Sequence, residues 1–210
     1  MNQILETNLN SKKRKTNKLR IILKFQLFFS IILVIIIECF LFLQKKQLNQ
    51  KENYSNEILS NYNISKLYAN INIDDIGEEE PYVLGVIKIP KINVYYPIFS
   101  TYTDDLLRIS PCRFYGPLPG KIGNLCIAGH NYDNDKFFSK IATLNIGSEI
   151  IISDYYNQSY TYFVYNIYEV DADNLSPVYS YDKKVRQLTL ITCNNINHKR
   201  IVVQAISKIN

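Results

Sequence analysis

Few side chains in this 210-residue sequence could move a proton or attack a carbonyl near neutral pH, since it holds only two histidines and four cysteines. Cys193 ends the run Thr189-Leu190-Ile191-Thr192 and precedes a polar stretch of six residues, Asn194 to Lys199, after which Arg200 opens another apolar run. If those runs are neighbouring strands, thiol and guanidinium face each other across the loop mouth. A guanidinium there favours the thiolate and offers fixed donors to an oxyanion. His130 follows Ala128-Gly129 at the end of an apolar run and precedes the polar residues Asn131, Tyr132, Asp133, Asn134 and Asp135. Small residues before it and a turn after it leave an imidazole exposed at a rim, where it could protonate a departing amine. The second histidine, His198, reads as a solvated loop residue.

The other thiols look less reactive. Cys39 lies in a long apolar segment, and Cys126 sits in Asn124-Leu125-Cys126-Ile127-Ala128, where it reads as a small buried hydrophobe. Cys112 follows Pro111 and is expected in a loop. An odd number of exported cysteines implies a free thiol or a bond between chains, and a Cys112–Cys126 bridge stays open. Two histidines and scattered cysteines match no CxxC or HExxH spacing, so no metal and no cofactor is expected. The acidic groups Glu78, Glu79, Glu80, Asp133 and Asp135 read as solvated charge rather than calcium ligands.

The elements that must position these residues are short. Runs of β-branched and aromatic residues at 83–89, 94–99, 125–128, 149–153, 160–170, 187–192 and 201–206 predict strands. Between them lie Pro90, Pro97, Pro117-Leu118-Pro119-Gly120, Gly123, Asn145, Gly147 and the stretch 154–159. Helical spacing occurs at 137–144, with Phe137, Phe138, Ile141 and Leu144 on one face. Seven or eight strands in about 130 residues predict a mainly β fold, an antiparallel or mixed barrel with a real core.

Charge is distributed unevenly. Residues 1–43 hold seven of the 24 Lys/Arg and only two of the 19 Asp/Glu, so the formal charge of +5 resides there and the remainder is neutral. The basic balance therefore gives no reason to expect a nucleic-acid partner. It leads instead into residues 25–43, apolar except for Gln26, Ser30 and Glu38. Nineteen helical residues span about 28 Å, close to a hydrocarbon core. A cleaved signal peptide would have a shorter apolar region and a small-residue exit, whereas here Phe40-Leu41-Phe42-Leu43 runs into Gln44-Lys45. The segment reads as an uncleaved signal anchor, with residues 1–24 a cytoplasmic basic arm and the rest outside. Residues 44–80 read as an extracellular stalk, with apolar positions at Ile58, Leu59, Tyr62 and Leu67 hinting at an amphipathic helix that ends before Pro81.

Across residues 84–207 the ordered motifs resemble the sortases, the membrane-anchored cysteine transpeptidases of Gram-positive surfaces. Gly85-Val86-Ile87-Lys88-Ile89-Pro90 with Ile92-Asn93-Val94 and Pro97-Ile98 is similar to the family's opening strands, and Ala128-Gly129-His130-Asn131 to its histidine segment. Thr189-Leu190-Ile191-Thr192-Cys193 matches the family's TLxTC signature, and Arg200 its arginine. The resemblance implies an eight-stranded sortase-type β-barrel over residues 81–210. It also implies catalytic roles for His130, Cys193 and Arg200, and substrate contacts from Thr192 and Asn131. Its implied partners are surface proteins bearing a C-terminal LPXTG-like sorting signal, with an amine acceptor from a peptidoglycan precursor or a pilin lysine. The short interval from His130 to Cys193 resembles compact, class D-like members, although the Asn after the histidine resembles class B. Loops at 155–158 and 171–182 are expected to set substrate preference. Two rival readings are a catalytically silent membrane-anchored scaffold and a cell-wall cysteine peptidase; in the latter the Cys precedes the His, the reverse of the order here.

Overall fold

A computed structural model describes residues 2–68, 82–132, 135–179, 182 and 184–207, with side chains omitted at 2–22, 48 and 62–68. Glu78, Glu79, Glu80, Pro81 and Asp133 lie outside the described residues, as do the side chains of Tyr62 and Leu67. The chain forms two compact units, divided between Gln50 and Lys51.

The first unit is the start of helix α1 (Asn2–Tyr68). Within Leu23–Asn61 this helix is long and apolar enough to cross a membrane, and its apolar side chains are exposed along the span. An all-round apolar helix with a basic entry is a membrane anchor, so this helix, the one such span among the described residues, crosses the cell membrane and the barrel follows outside.

The second unit begins with the end of α1. Ser55 is fully buried and bonds the hydroxyl of buried Ser110, which in turn donates to Pro97 O at 2.6 Å. Leu59 packs with Val86, Val83 and Tyr155, while Glu52 pairs with Lys136. Part of the segment expected as a stalk thus lies against the barrel.

Eight strands close the barrel: β1 (Val83–Ile89), β2 (Val94–Phe99), β3 (Cys112–Tyr115), β4 (Gly123–Ala128), β5 (Glu149–Asp154), β6 (Ser159–Val170), β7 (Arg186–Cys193) and β8 (Arg200–Ser207). Their order around the barrel is β1-β2-β3-β4-β7-β8-β6-β5. Two neighbouring pairs, β2–β3 and β4–β7, are parallel; the others are antiparallel. Alternate residues point inward, giving a core of Ile87, Ile89, Ile98, Leu125, Ile127, Ile150, Ile152, Leu188, Leu190, Val203 and Ala205.

Two local expectations differ from the structure. Cys112, expected in a loop, opens β3 and is fully buried, paired in register with Phe99 and Ala128. The helix expected at 137–144 is a series of turns with one 3-10 element, Ile141–Thr143. Phe138 N donates to His130 O, and Ile141 N and Leu144 N donate to carbonyls three residues back. Phe138, Ile141 and Leu144 therefore share a face at the 3-10 period of three, and all are buried, as is Phe137. Phe137 itself has φ 51, which an α-helix cannot accommodate.

Two further short helices cap the barrel's outer surface: α2 (Asp104–Leu107), with Thr103 accepting from Leu106 N, and α3 (Ser176–Tyr179). The second is held by a side chain from β4. Asn124, fully buried, donates to Pro177 O (3.0 Å) and Val178 O (3.1 Å) and accepts from Thr189 Oγ1 (2.8 Å). Replacing it leaves two carbonyls and a hydroxyl without this partner in a dry site. Asn124→Ala is expected to cost about 2–4 kcal/mol, read as a lowered denaturant midpoint with unchanged slope. An unchanged midpoint would show that water satisfies these groups.

Candidate active site

The ends of three adjacent strands make the site. Strand β7 sits between β4 and β8, and its register with β4 pairs Ala128 with Ile191. Two residues beyond that pair on each chain are His130 and Cys193, so both extend equally past the ladder. On the other side Cys193 is paired directly with Arg200. Side chains alternate along strands, and the inward residues are Leu125, Ile127, Leu188, Leu190, Ile201 and Val203. Ala128, Ile191, Cys193, Arg200 and Val202 have the opposite parity and line an outer cleft together with His130.

At the mouth of the β7–β8 loop, an Arg200 guanidinium N–H donates to Cys193 Sγ. The rest of its planar fork can donate to an oxyanion formed beside that sulfur. The cleft encloses about 340 Å³. One wall comes from α2 and its approach, with Tyr102, Asp104 and Leu107, and another from the β6–β7 connection, with Ala172, Leu175, Pro177 and Val178. Of the two loops expected to set substrate preference, the one at 171–182 borders the cleft through residues 172–178. The 155–158 turn does not; its Tyr155 packs with Leu59 and Val86 instead. The walls at α2 carried a legible helix signature, Thr103 before Asp104-Asp105, but nothing local placed that helix over the cleft.

Thr192 borders the cleft, and its hydroxyl donates to Gly129 O at 2.7 Å. Asn131 stands next to it and directs its amide to Cys193 O at 2.7 Å. His198 lies exposed in the β7–β8 loop with φ 58, away from the cleft lining. The loop is braced from β6: the Glu169 carboxylate accepts from Asn194 Nδ2 (2.5 Å) and Asn197 Nδ2 (2.9 Å). These bonds, Asn197 first, hold the Glu169 carboxyl below its ordinary range.

Burial is the main influence on His130, favouring neutral imidazole and lowering its pKa; the cations Arg108 and Lys51 act the same way, against Asp104. Its ring lies 5.0 Å from that of Tyr132, which in turn meets Phe137 at 5.5 Å. Burial pushes the thiols of Cys112 and Cys126 up to about 12, which makes both inert as nucleophiles. All four cysteines are free thiols in this structure. Asp135, one of the acidic residues weighed for calcium, pairs with Lys140 at 2.6 Å.

A thiol at a strand end is thus bonded by a guanidinium on the next strand of a closed barrel, at a cleft that an imidazole also lines. Residues 87–207 match the family described as the Sortase domain. The chain belongs to the sortase family, the cysteine transpeptidases. Among solved structures it is similar to the Clostridium perfringens sortase D5 transpeptidase, at 24% identity and TM-score 0.64, covering 75% of this chain and 100% of that one. It is also similar to sortase A from Corynebacterium diphtheriae (25%, TM-score 0.56, 62% and 63% covered). A third likeness is to Clostridium perfringens sortase C (22%, TM-score 0.57, 79% and 96% covered). No curated protein sequence matches it.

The electrostatics yield a signed prediction. Arg108→Gln removes a cation that disfavours imidazolium, so the His130 pKa should rise, as followed by the imidazole NMR shift against pH. A fall or no change would show that Arg108 is screened from the ring. Separately, iodoacetamide at mildly alkaline pH should modify Cys193 in the folded protein and leave Cys112 and Cys126 untouched, as mapped by mass spectrometry.

Proposed function

We propose that this sortase cleaves an LPXTG-like sorting signal and joins the freed acyl group to an amine. Cys193 Sγ attacks the scissile carbonyl carbon as its thiol proton passes to neutral His130, forming a C–S bond and an oxyanion that accepts from the Arg200 guanidinium. Collapse of this intermediate breaks the C–N bond, and the departing amine takes a proton from His130, leaving a thioester on Cys193. His130, now neutral, removes a proton from the incoming amine as its nitrogen attacks the thioester. The Cys193 thiolate leaves, and an amide bond has been exchanged for another.

The observation that carries this reading is the bond from Arg200 to the Cys193 sulfur at a cleft that His130 also lines. The apolar walls at Leu107, Leu175, Pro177 and Val178 suit the leucine and proline of such a signal, with Thr192 at the groove's edge. Sortase C from Clostridium perfringens was solved with the C-terminal cell wall sorting motif, which supports the same substrate class here. The donor is then a surface protein with that signal at its C-terminus. The acceptor is a peptidoglycan-precursor amine or a pilin lysine. A compact, class D-like enzyme is supported by the β4–β7 connection, which among the described residues carries β5, β6 and only short helical turns.

The full chain in detergent, mixed with LPXTG-like peptides and excess oligoglycine or a diaminopimelate-type amine, is expected to give a peptide-acyl adduct on Cys193 and a new peptide–amine product by mass. Cys193→Ala should abolish both, and Arg200→Lys should lose most turnover because the planar fork is gone. A fully active Cys193→Ala protein would sink the mechanism. Cleavage without amine transfer would instead mark a hydrolase.

A further inference from the structure

His130 is held on both sides by the strand that carries the thiol. The residue before it, Gly129, donates its N–H to Ile191 O (3.1 Å) and accepts from Thr192 Oγ1 (2.7 Å). The residue after it, Asn131, donates its side-chain amide to Cys193 O (2.7 Å), a half-buried bond between residues 62 apart in sequence. The Asn131 carbonyl in turn accepts from Asn195 Nδ2 (2.9 Å), in the loop that follows the thiol. The regular β4–β7 ladder ends at the Ala128–Ile191 pair. Beyond it the chain after β4 turns back through the Asn131–Phe137 bridge, so side chains must replace the ladder. Asn131 supplies the replacement nearest the thiol.

We propose that Asn131 is a positioning residue, whose amide bond to the Cys193 carbonyl sets the separation and orientation of the His130 imidazole and the Cys193 thiol. This rests on the reading of Cys193 and His130 as the reacting pair. Three observations favour positioning over contact with the peptide. The amide is already engaged at Cys193 O, Asn131 is outside the cleft lining that includes Ala128, Gly129 and His130, and its own carbonyl is engaged by Asn195. Displacing a reacting group by about 1 Å costs on the order of 10²-fold in rate, so a bond that holds this spacing acts on turnover rather than on binding.

The test uses the full chain in detergent with Asn131→Leu, which keeps roughly the volume but loses the donor, and Asn131→Asp, which sets an acceptor against the carbonyl. Asn195→Ala, at an exposed side chain, carries the test if the first two fail to fold. The first readout needs no peptide: the rate of iodoacetamide modification at Cys193 against pH, mapped by mass. The Asn131 variants should move that profile toward the profile of His130→Ala, and Asn195→Ala should move it the same way by less. With a reporter peptide, kcat should fall on the order of 10²-fold while KM stays within about twofold. Alkylation profiles that superimpose on wild type would overturn the proposal, even if melting temperature drops. A raised KM with unchanged kcat would overturn it in favour of a peptide contact. If the wild type turns over no peptide, the alkylation profiles still decide, so failure of the transpeptidase reading and failure of this one are separately visible.

Discussion

Parallel pairing of β4 with β7 is the constraint from which the site follows. Parallel neighbours cannot be joined by a tight turn, so the chain between them must cross over, and here it builds β5, β6 and the connection that holds α3. That crossover does two jobs. It completes the barrel, because β5 pairs with β1 and β6 with β8. It also returns a segment, 172–178, to cover the outer face of β4, where Asn124 fastens it. The covered face leaves β4 and β7 largely buried on both sides, including the polar Asn124, Gln187, Thr189 and Thr192. One pairing thus brings together the strand ends that carry His130 and Cys193 and encloses the cleft beside them.

The chemistry divides between local and non-local partners. Cys193 and Arg200 meet through a short antiparallel turn, and that turn is rigidly braced. Asn194 N donates to Lys199 O, His198 N to Asn194 O, and the Glu169 carboxylate holds two asparagines of the loop. The thiol–guanidinium contact therefore needs little beyond the hairpin itself and one brace from β6. The imidazole depends on the barrel. The strand it is set against, β7, and the cations near it come from segments distant in sequence, including Lys51 at the start of the barrel's unit and Arg108 just after α2. The thiol–guanidinium pair and the imidazole are thus held in place by different levels of structure.

Burial also separates Cys193 from the other two thiols of the barrel. Cys112 and Cys126 are wholly enclosed, and desolvation alone keeps them protonated. Cys193 is only partly buried and has a guanidinium on its sulfur. Cys126 lies within β4, and Cys112, although it opens β3, is enclosed between Phe99 and Ala128, whereas Cys193 ends β7 at the cleft.

By itself the sequence determined seven of the eight strands to within two residues at each end, the membrane anchor and, for neighbouring strands, the facing of Cys193 and Arg200. Each is written in contiguous residues: period-two alternation, a basic entry to an apolar run, and two apolar runs separated by a six-residue polar loop. It also marked Phe138, Ile141 and Leu144 as core, though their spacing of three belongs to a 3-10 turn rather than to the α-helix it suggested. Only the tertiary structure set His130 level with Cys193, placed α2 and residues 172–178 as walls, recruited the short strand β3, laid the end of α1 against the barrel and directed the Asn131 amide to Cys193 O. All of these join segments far apart in the chain. Their geometry comes from closing the barrel, where each strand's place depends on every other, and no local pattern of residues encodes that.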